Sequence, residues 1–459
     1  MPFNSLAYAL LLALSGAWVR IGPRPAATLI VASLAFYAAA GPYDTTIFLA
    51  AVTLNWLVQV AVPAGRPRIA AAVIVNIGLI GYFKYRDFLL GEVSQAGSYL
   101  DTTLPLGISF YSFQALAYHI DVAQGRSEPA KSFREFFLFK AFFPQLVAGP
   151  IVRPQQTLPQ FRRLFGGHRA RHRLLAFGLG LIALGLTKKV VLADSLAPIV
   201  DEIFFAQPDS AYRAWLGAVL FAFQIYFDFS GYSDIAIGSA YLLGIRLPRN
   251  FATPFLASSI PQFWQRWHIT FTLFLRDYVF LPLADIRLVA RRYRVVQHLG
   301  AIILTMALCG LWHGAGWNFI VWGTLHGLAI VFATVWARYL GSPAAAVGWA
   351  ATFGFFVITL VFFRSPNLPF AFDYLGTMLS FRSGLPPTVD DVAPPWQAAV
   401  GIVALFALHW AEFYVQRTDV LYALRRRDGP LLRGLLAGLA LLLVLLPTYN
   451  INPFIYFRF

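Results

Sequence analysis

The chain has 459 residues, 58% of them hydrophobic and only 12% charged, with a mean hydropathy of +0.63. A soluble domain carries about one quarter charged residues, so the composition excludes a soluble or disordered protein and indicates an all-α polytopic membrane protein, read as one integral domain over residues 1–459. The net charge of +15 comes from Lys and Arg clustered between apolar runs, which reflects membrane orientation and not nucleic-acid binding. The single cysteine, Cys309, excludes an internal disulfide framework, and no spacing resembles a structural metal site.

The first apolar run, residues 6–19, has no basic leader and is followed by further spans, so it reads as a retained helix and not a cleaved signal. Spans are predicted near 5–20, 26–40, 46–62 and 69–83. Arg20, Arg24, Arg66 and Arg68 mark cytoplasmic turns, while residues 41–46 carry no Lys or Arg. The positive-inside bias then places the N-terminus outside the cytoplasm. Segment 136–152 lies between basic flanks, Lys131/Arg134 and Arg153/Arg162, and contains Pro144, Gly149 and Pro150. Both its ends fall on one side, so it is predicted to be re-entrant or broken. Arg162, Arg163, Arg169, Arg171 and Arg173 mark an inside loop, and Asp194, Asp201, Glu202 and Asp209 an outside one.

Segment 259–283 embeds Arg266, His268, Arg276 and Asp277 among aromatics, between cytoplasmic Arg246/Arg249 and Arg287. It is expected to dip into the membrane or lie along the interface. Residues 287–294 are inside, the acidic loop 364–395 outside, and Arg425, Arg426, Arg427 and Arg433 inside again, before a last span near 432–447 and an outside tail, 450–459. About eleven or twelve spans result. Irregular backbone at membrane depth is tolerated only around a cavity, so both broken segments are expected to line one internal cavity together with His313.

The stretch Cys309-Gly310-Leu311-Trp312-His313-Gly314-Ala315-Gly316-Trp317-Asn318 sets a histidine among glycines and tryptophans inside an apolar run. An ionisable group there marks a functional site, against the alternative of a satisfied histidine packed between helices. Asp228 and Asp234, in Tyr226-Phe227-Asp228-Phe229-Ser230-Gly231-Tyr232-Ser233-Asp234, leave two readings open: partners that orient a His or Arg, or salt-bridged packing elements; Gly231 and Gly238 are available for a kink. Cys309 and His313 share a helical face, but no third orienting group accompanies them, and Cys309 reads as a packing residue. His326 and His409 read as structural, and His168 and His172 as solvent-facing.

The chain resembles the membrane-bound O-acyltransferase (MBOAT) family, in its bacterial alginate O-acetylation branch. The likeness runs through Leu106-Gly107-Ile108-Ser109-Phe110, Phe143-Pro144-Gln145-Leu146-Val147-Ala148-Gly149-Pro150-Ile151, the Tyr226 to Asp234 motif and Asn250-Phe251. It continues through Phe263-Trp264-Gln265-Arg266-Trp267-His268-Ile269-Thr270, Leu275-Arg276-Asp277-Tyr278, Leu311-Trp312-His313-Gly314 and Phe454-Ile455-Tyr456-Phe457-Arg458-Phe459.

The resemblance implies a ring of helices around a thinned centre, with a cytoplasmic funnel for the acyl donor. It implies that His313 is the catalytic residue and His268 a second important one, with Trp267, Arg276, Asp277, Tyr278, Trp312 and Asn318 along the substrate path. His313 is then the general base, and His268 either positions the donor, polarises its carbonyl or makes an interhelical hydrogen bond. The implied donor is acetyl-CoA, a substrate and not a tightly bound cofactor. The implied acceptor is an extracytoplasmic polysaccharide, reached with an esterase-like (SGNH) periplasmic acetyltransferase as partner, in a bacterial inner membrane. Two other readings stay open: D-alanyl transfer from a carrier-protein thioester, and a transporter or flippase, against which the absence of matching sequence halves counts.

Overall fold

The computed structural model describes residues 1–94, 104–147, 149–169, 175–206, 208–286, 290–380, 394–417, 429–446 and 454. Among the described residues the regular structure is helical, with no strand. Eight of these helices are long and apolar enough to cross a membrane: Pro42–Ala61, Arg66–Gly91, Leu175–Phe205, Ala211–Leu242, Arg294–His313, Trp317–Leu340, Ala345–Arg364 and Pro395–Arg417. The spans expected near 5–20, 26–40 and 432–447 are the shorter apolar helices Leu6–Ile21, Pro25–Ala38 and Pro430–Leu445. The all-α polytopic architecture read from the sequence is therefore the observed one. Ala148, Arg171, His172, Arg173, Arg287, Arg425, Arg426, Arg427 and, apart from Phe454, the tail 450–459 lie outside the described residues.

Burial separates the long helices into two kinds. Ala211–Leu242 is buried over 89% of its apolar window, whereas Arg66–Gly91 and Pro395–Arg417 are buried over 17%. A helix apolar all round and enclosed by protein is a core element; one with exposed apolar side chains is suited to lipid. Ala211–Leu242 is an uninterrupted helix through Gly231 and Gly238, so these glycines do not break it. A Cβ on Gly178 would stand 2.9 Å from the Gly238 carbonyl oxygen, and one on Gly185 would stand 2.5 Å from that of Gly231. Glycine is needed there for backbone approach.

The chain divides into two compact units. The first comprises Met1–Thr187, Gly231–Arg249 and Leu421–Arg458. Its helix starts follow ordinary capping chemistry: the Ser5 and Ser132 side chains accept from the Tyr8 and Glu135 amides. Asn55 and Asn76 exchange side-chain amide hydrogen bonds of 3.2 and 2.8 Å, which satisfies both inside the apolar interior. Helix Phe133–Ala141 is only nine residues long and gives way to buried, turn-rich backbone at Phe142. The break expected within 136–152 is therefore present.

The second unit comprises Lys188–Ser230, Asn250–Val420 and Phe459. Here 259–283 breaks into Ile260–Arg266, Ile269–Leu275, a π turn Arg276–Phe280 and Leu281–Asp285, none long enough to span a membrane. Helices Arg294–His313 and Trp317–Leu340 form a tight hairpin through Gly314, Ala315 and Gly316. A Cβ on Gly310 would lie 2.1 Å from the Phe319 carbonyl oxygen, and one on Gly323 2.1 Å from that of Met306. The two glycines let the backbones touch, and the hairpin fixes His313 as the last residue of its helix.

Candidate functional site

The site is built on the break in 259–283. A loop from the same unit clamps it at two backbone points: the Ala252 amide donates to the Arg266 carbonyl (2.9 Å) and the Ile269 amide donates to that of Asn250 (2.8 Å). His268 lies between these points with φ +43° and ψ +54°. Only Thr253 shares a positive φ among the described non-glycine residues. A side chain in the left-handed region is strained by about 1–3 kcal/mol and persists only where its surroundings determine it. The bend turns the imidazole inward and restarts a helix, because the His268 carbonyl accepts from the Phe271 (3.0 Å) and Thr272 (2.9 Å) amides.

His268 Nδ1 is 3.2 Å from Asn250 Oδ1, which also receives the Thr270 amide at 3.2 Å and the Thr270 hydroxyl at 2.9 Å. The Phe229 ring stands edge-on to the imidazole at 4.7 Å, and Phe271 covers it at 5.0 Å. Burial holds the imidazole far below its ordinary value, at about 3, because the cation would lose its hydration. His268 is thus neutral across physiological pH, with one N–H and one lone pair.

His313 is buried at the end of Arg294–His313. Its ring is surrounded by Trp312 (4.6 Å), Trp322 (5.1 Å, 88°), Phe363 (5.1 Å) and Phe271 (6.1 Å). Phe271 and Trp312 pack against each other at 4.1 Å, tilted by 31°, and the His268 ring also meets both, 5.0 Å from Phe271 and 6.2 Å from Trp312. Two buried imidazoles therefore contact one aromatic pair in protein-enclosed, apolar surroundings. A buried imidazole can take or relay a proton, and surrounding rings exclude the water that would compete.

The remaining expected site residues fall into two groups. Trp267 packs in the same aromatic layer, stacked on Phe263 at 5.6 Å and edge-on to Phe251 at 5.2 Å. Asn318, which opens the helix after His313, donates its amide to the carbonyls of Phe362 (3.1 Å) and Ser365 (2.8 Å), tying that helix start to the end of Ala345–Arg364. Arg276, Asp277 and Tyr278 lie one short helix further on, along the π turn. There Arg276 pairs with Asp277 at 2.7 Å and Tyr278 packs on Phe274 at 4.9 Å.

Several contributors were not singled out from the sequence. Phe271, Trp322 and Phe363 form the walls, and nothing in an aromatic-rich chain distinguishes them. Lys188 and Lys189 are adjacent and buried on the π turn Thr187–Ala193. Lys188 pairs with Glu412 (2.6 Å) and donates to Ser230 (2.7 Å), while Lys189 pairs with Asp228 (2.6 Å) and Asp194 (2.8 Å). Asp228 is thus held by a lysine in a buried ion-pair cluster. Two charges inside an apolar run were the available signal.

Residues 70–368 match the sequence profile of the MBOAT, membrane-bound O-acyltransferase family. The chain is 34% identical to the peptidoglycan O-acetyltransferase of Helicobacter pylori over 78% of its own length and 74% of that protein's. It is 37% identical to a probable alginate O-acetylase of Azotobacter vinelandii, over 77% and 72% of the respective chains. Similarity to the teichoic acid D-alanyltransferase of Streptococcus thermophilus is 32% identity over 51% of this chain and 57% of that one.

Proposed function

The chain belongs to the membrane-bound O-acyltransferase family and is an O-acyltransferase, and from that premise we propose that it moves an acetyl group across a bacterial inner membrane. The donor is a cytoplasmic thioester, acetyl-CoA. The acceptor is an extracytoplasmic polysaccharide hydroxyl, reached directly or through a periplasmic esterase-like relay protein. The O-acetylating relatives support the acetyl group and a glycan acceptor, and the basic clusters support a cytoplasmic donor with the N-terminus outside.

The observation that carries this reading is the pair of buried imidazoles that share the Phe271–Trp312 pair as a neighbour. His313 is the general base. As the acceptor hydroxyl oxygen attacks the thioester carbonyl carbon, His313 takes the hydroxyl proton and a tetrahedral oxyanion forms. The carbon–sulfur bond then breaks, the ester remains, and the imidazolium returns its proton to the leaving thiolate, so that base and acid are one residue used twice. The aromatic walls keep water from intercepting the acyl group.

Purified protein in liposomes, supplied with acetyl-CoA on the cytoplasmic side and with acceptor or relay partner, is expected to release free CoA. His313→Ala should abolish that release while inserting normally. Acetyl transfer at the wild-type rate by His313→Ala removes the base assignment. Movement of an unaltered carrier molecule across the bilayer, without thioester cleavage, restores the transport reading. A D-alanyl donor on a carrier protein is the second reading, favoured by the D-alanyltransferase relative, and cleavage of an alanyl thioester in place of acetyl-CoA would select it.

A further inference from the structure

We infer that Asn250 is a positioning residue whose side-chain carbonyl fixes His268 as the Nδ1–H tautomer, leaving the lone pair on Nε2, so that His268 meets its substrate as a hydrogen-bond acceptor and not as a donor to the developing oxyanion. The inference rests on the acyl-transfer reading above for its consequence, but not for the tautomer itself.

The tautomer follows from which groups share one atom. A backbone amide can only donate, so the Asn250 atom 3.2 Å from the Thr270 nitrogen is the oxygen of the side-chain amide and not its NH2 group. The Thr270 hydroxyl, 2.9 Å away, donates to the same oxygen. His268 Nδ1 stands 3.2 Å from it. Two lone pairs facing each other repel, so Nδ1 must carry the proton. A neutral imidazole has one N–H, and burial keeps this one neutral. The in-plane lone pair is then on Nε2.

The backbone makes this arrangement durable. The residues flanking His268 are tied to Asn250 and Ala252 by the Ile269-to-Asn250 and Ala252-to-Arg266 hydrogen bonds. The left-handed φ of +43° at His268 points the ring at the side chain of the residue that pins its backbone. Asn250 therefore contributes twice, through its main-chain carbonyl to the bend and through its side-chain carbonyl to the tautomer. Thr270 locks the amide orientation by donating twice to the same oxygen. For the transfer, an Nε2 lone pair can bind an O–H or N–H of the acceptor or donor molecule. It cannot stabilise a carbonyl oxygen as it gains charge, so that role falls to another group.

The test reads the tautomer without turnover. Protein labelled with 15N-histidine in lipid nanodiscs, with the His268 signals assigned by their disappearance in His268→Gln, should show a protonated Nδ1 and an unprotonated Nε2. Asn250→Leu, which keeps the size and removes the acceptor, should mix or reverse the tautomers. It should lower kcat by roughly 10–100-fold, by analogy with the cost of losing a group that orients a metal-bound imidazole, with KM much less affected. Asn250→Asp, which restores an oxygen acceptor, should recover the Nδ1–H signal and part of the rate. A wild-type spectrum showing Nε2–H overturns the inference, as does Asn250→Leu with an unchanged spectrum and unchanged kcat. If Asn250→Leu does not fold, the wild-type spectrum alone decides. Acetyl transfer surviving in His313→Ala would remove the catalytic reading while leaving the measured tautomer standing, so the two failures are distinguishable.

Discussion

His268 and His326 are both fully buried imidazoles in the same unit, yet their surroundings differ in kind. His326 lies on the regular helix Trp317–Leu340, where Trp264 Nε1 donates to its Nδ1 (3.3 Å) and its Nε2 is 3.1 Å from the Thr359 hydroxyl. Both ring nitrogens are bonded to protein, and the backbone is relaxed. His268 lies between two seven-residue helices, in a left-handed conformation held by a separate loop. Burial alone does not mark a working histidine. The strained backbone and its clamp set His268 apart from His326 and are the ground for proposing that the direction of its ring is used.

Truncating each imidazole should separate the two histidines most widely. His313→Ala is expected to lower the acyl-transfer rate by about 10²- to 10⁴-fold, the range supplied by a positioned acid–base group, and His268→Ala to lower it strongly as well, both with membrane insertion retained. His326→Ala is expected to change the rate per folded molecule by no more than a few fold while lowering the melting temperature, since it leaves the buried Trp264 N–H without its acceptor and removes the donor to the Thr359 oxygen. Rate and melting temperature measured on the same preparations check this. Lost turnover at an unchanged melting temperature in His326→Ala would place that histidine in the chemistry.

The buried ion pair of Lys188 and Glu412 is a polar cluster with a structural role. The Lys188 and Glu412 side chains are 4% and 5% exposed, and the Tyr226 hydroxyl (2.7 Å) and Gln416 amide (2.7 Å) also donate to Glu412. Lys188→Met leaves a carboxylate buried without its cation, which costs about 3–5 kcal/mol. Adding Glu412→Gln removes the orphaned charge and should recover much of that stability, with acyl transfer recovering in proportion to folded protein. A double variant no more stable than Lys188→Met would show that the pair is not what holds these helices.

The sequence was legible where physics is local. Long apolar runs, basic clusters and prolines disclosed the spanning helices and both broken segments, because hydrocarbon imposes its rule on every residue of a span. Trp312, His313, Trp267 and His268 were legible as motif residues. What was not legible was long-range. The hydrogen bond from His268 to Asn250 joins residues 18 apart across an irregular turn, and no helical or strand period connects them. The salt bridge from Lys188 to Glu412 spans 224 positions. Gly231 and Gly238 were legible only as available for a kink; their close approach to the backbones at Gly185 and Gly178 is a long-range contact that a sequence does not display.

The smallest expected effect tests whether His313 depends on its hairpin as His268 depends on its loop. Gly310 precedes His313 by one helical turn, and a methyl group there would stand 2.1 Å from the Phe319 carbonyl oxygen and 3.1 Å from the Gly323 Cα. Neither contact is with a flexible side-chain end, so the two helices must separate. Gly310→Ala is therefore expected to destabilise the protein by about 1–3 kcal/mol, the usual cost of overpacking. Separation would also move His313 away from Trp322 on the partner helix, now 5.1 Å off, and misplacement by about an ångström costs up to roughly 100-fold in rate. The rate should fall even at temperatures where the variant remains folded, as read by thermal unfolding and initial-rate assays together. A stability loss with an unchanged rate per folded molecule would show that the hairpin supports the fold without setting the position of the imidazole.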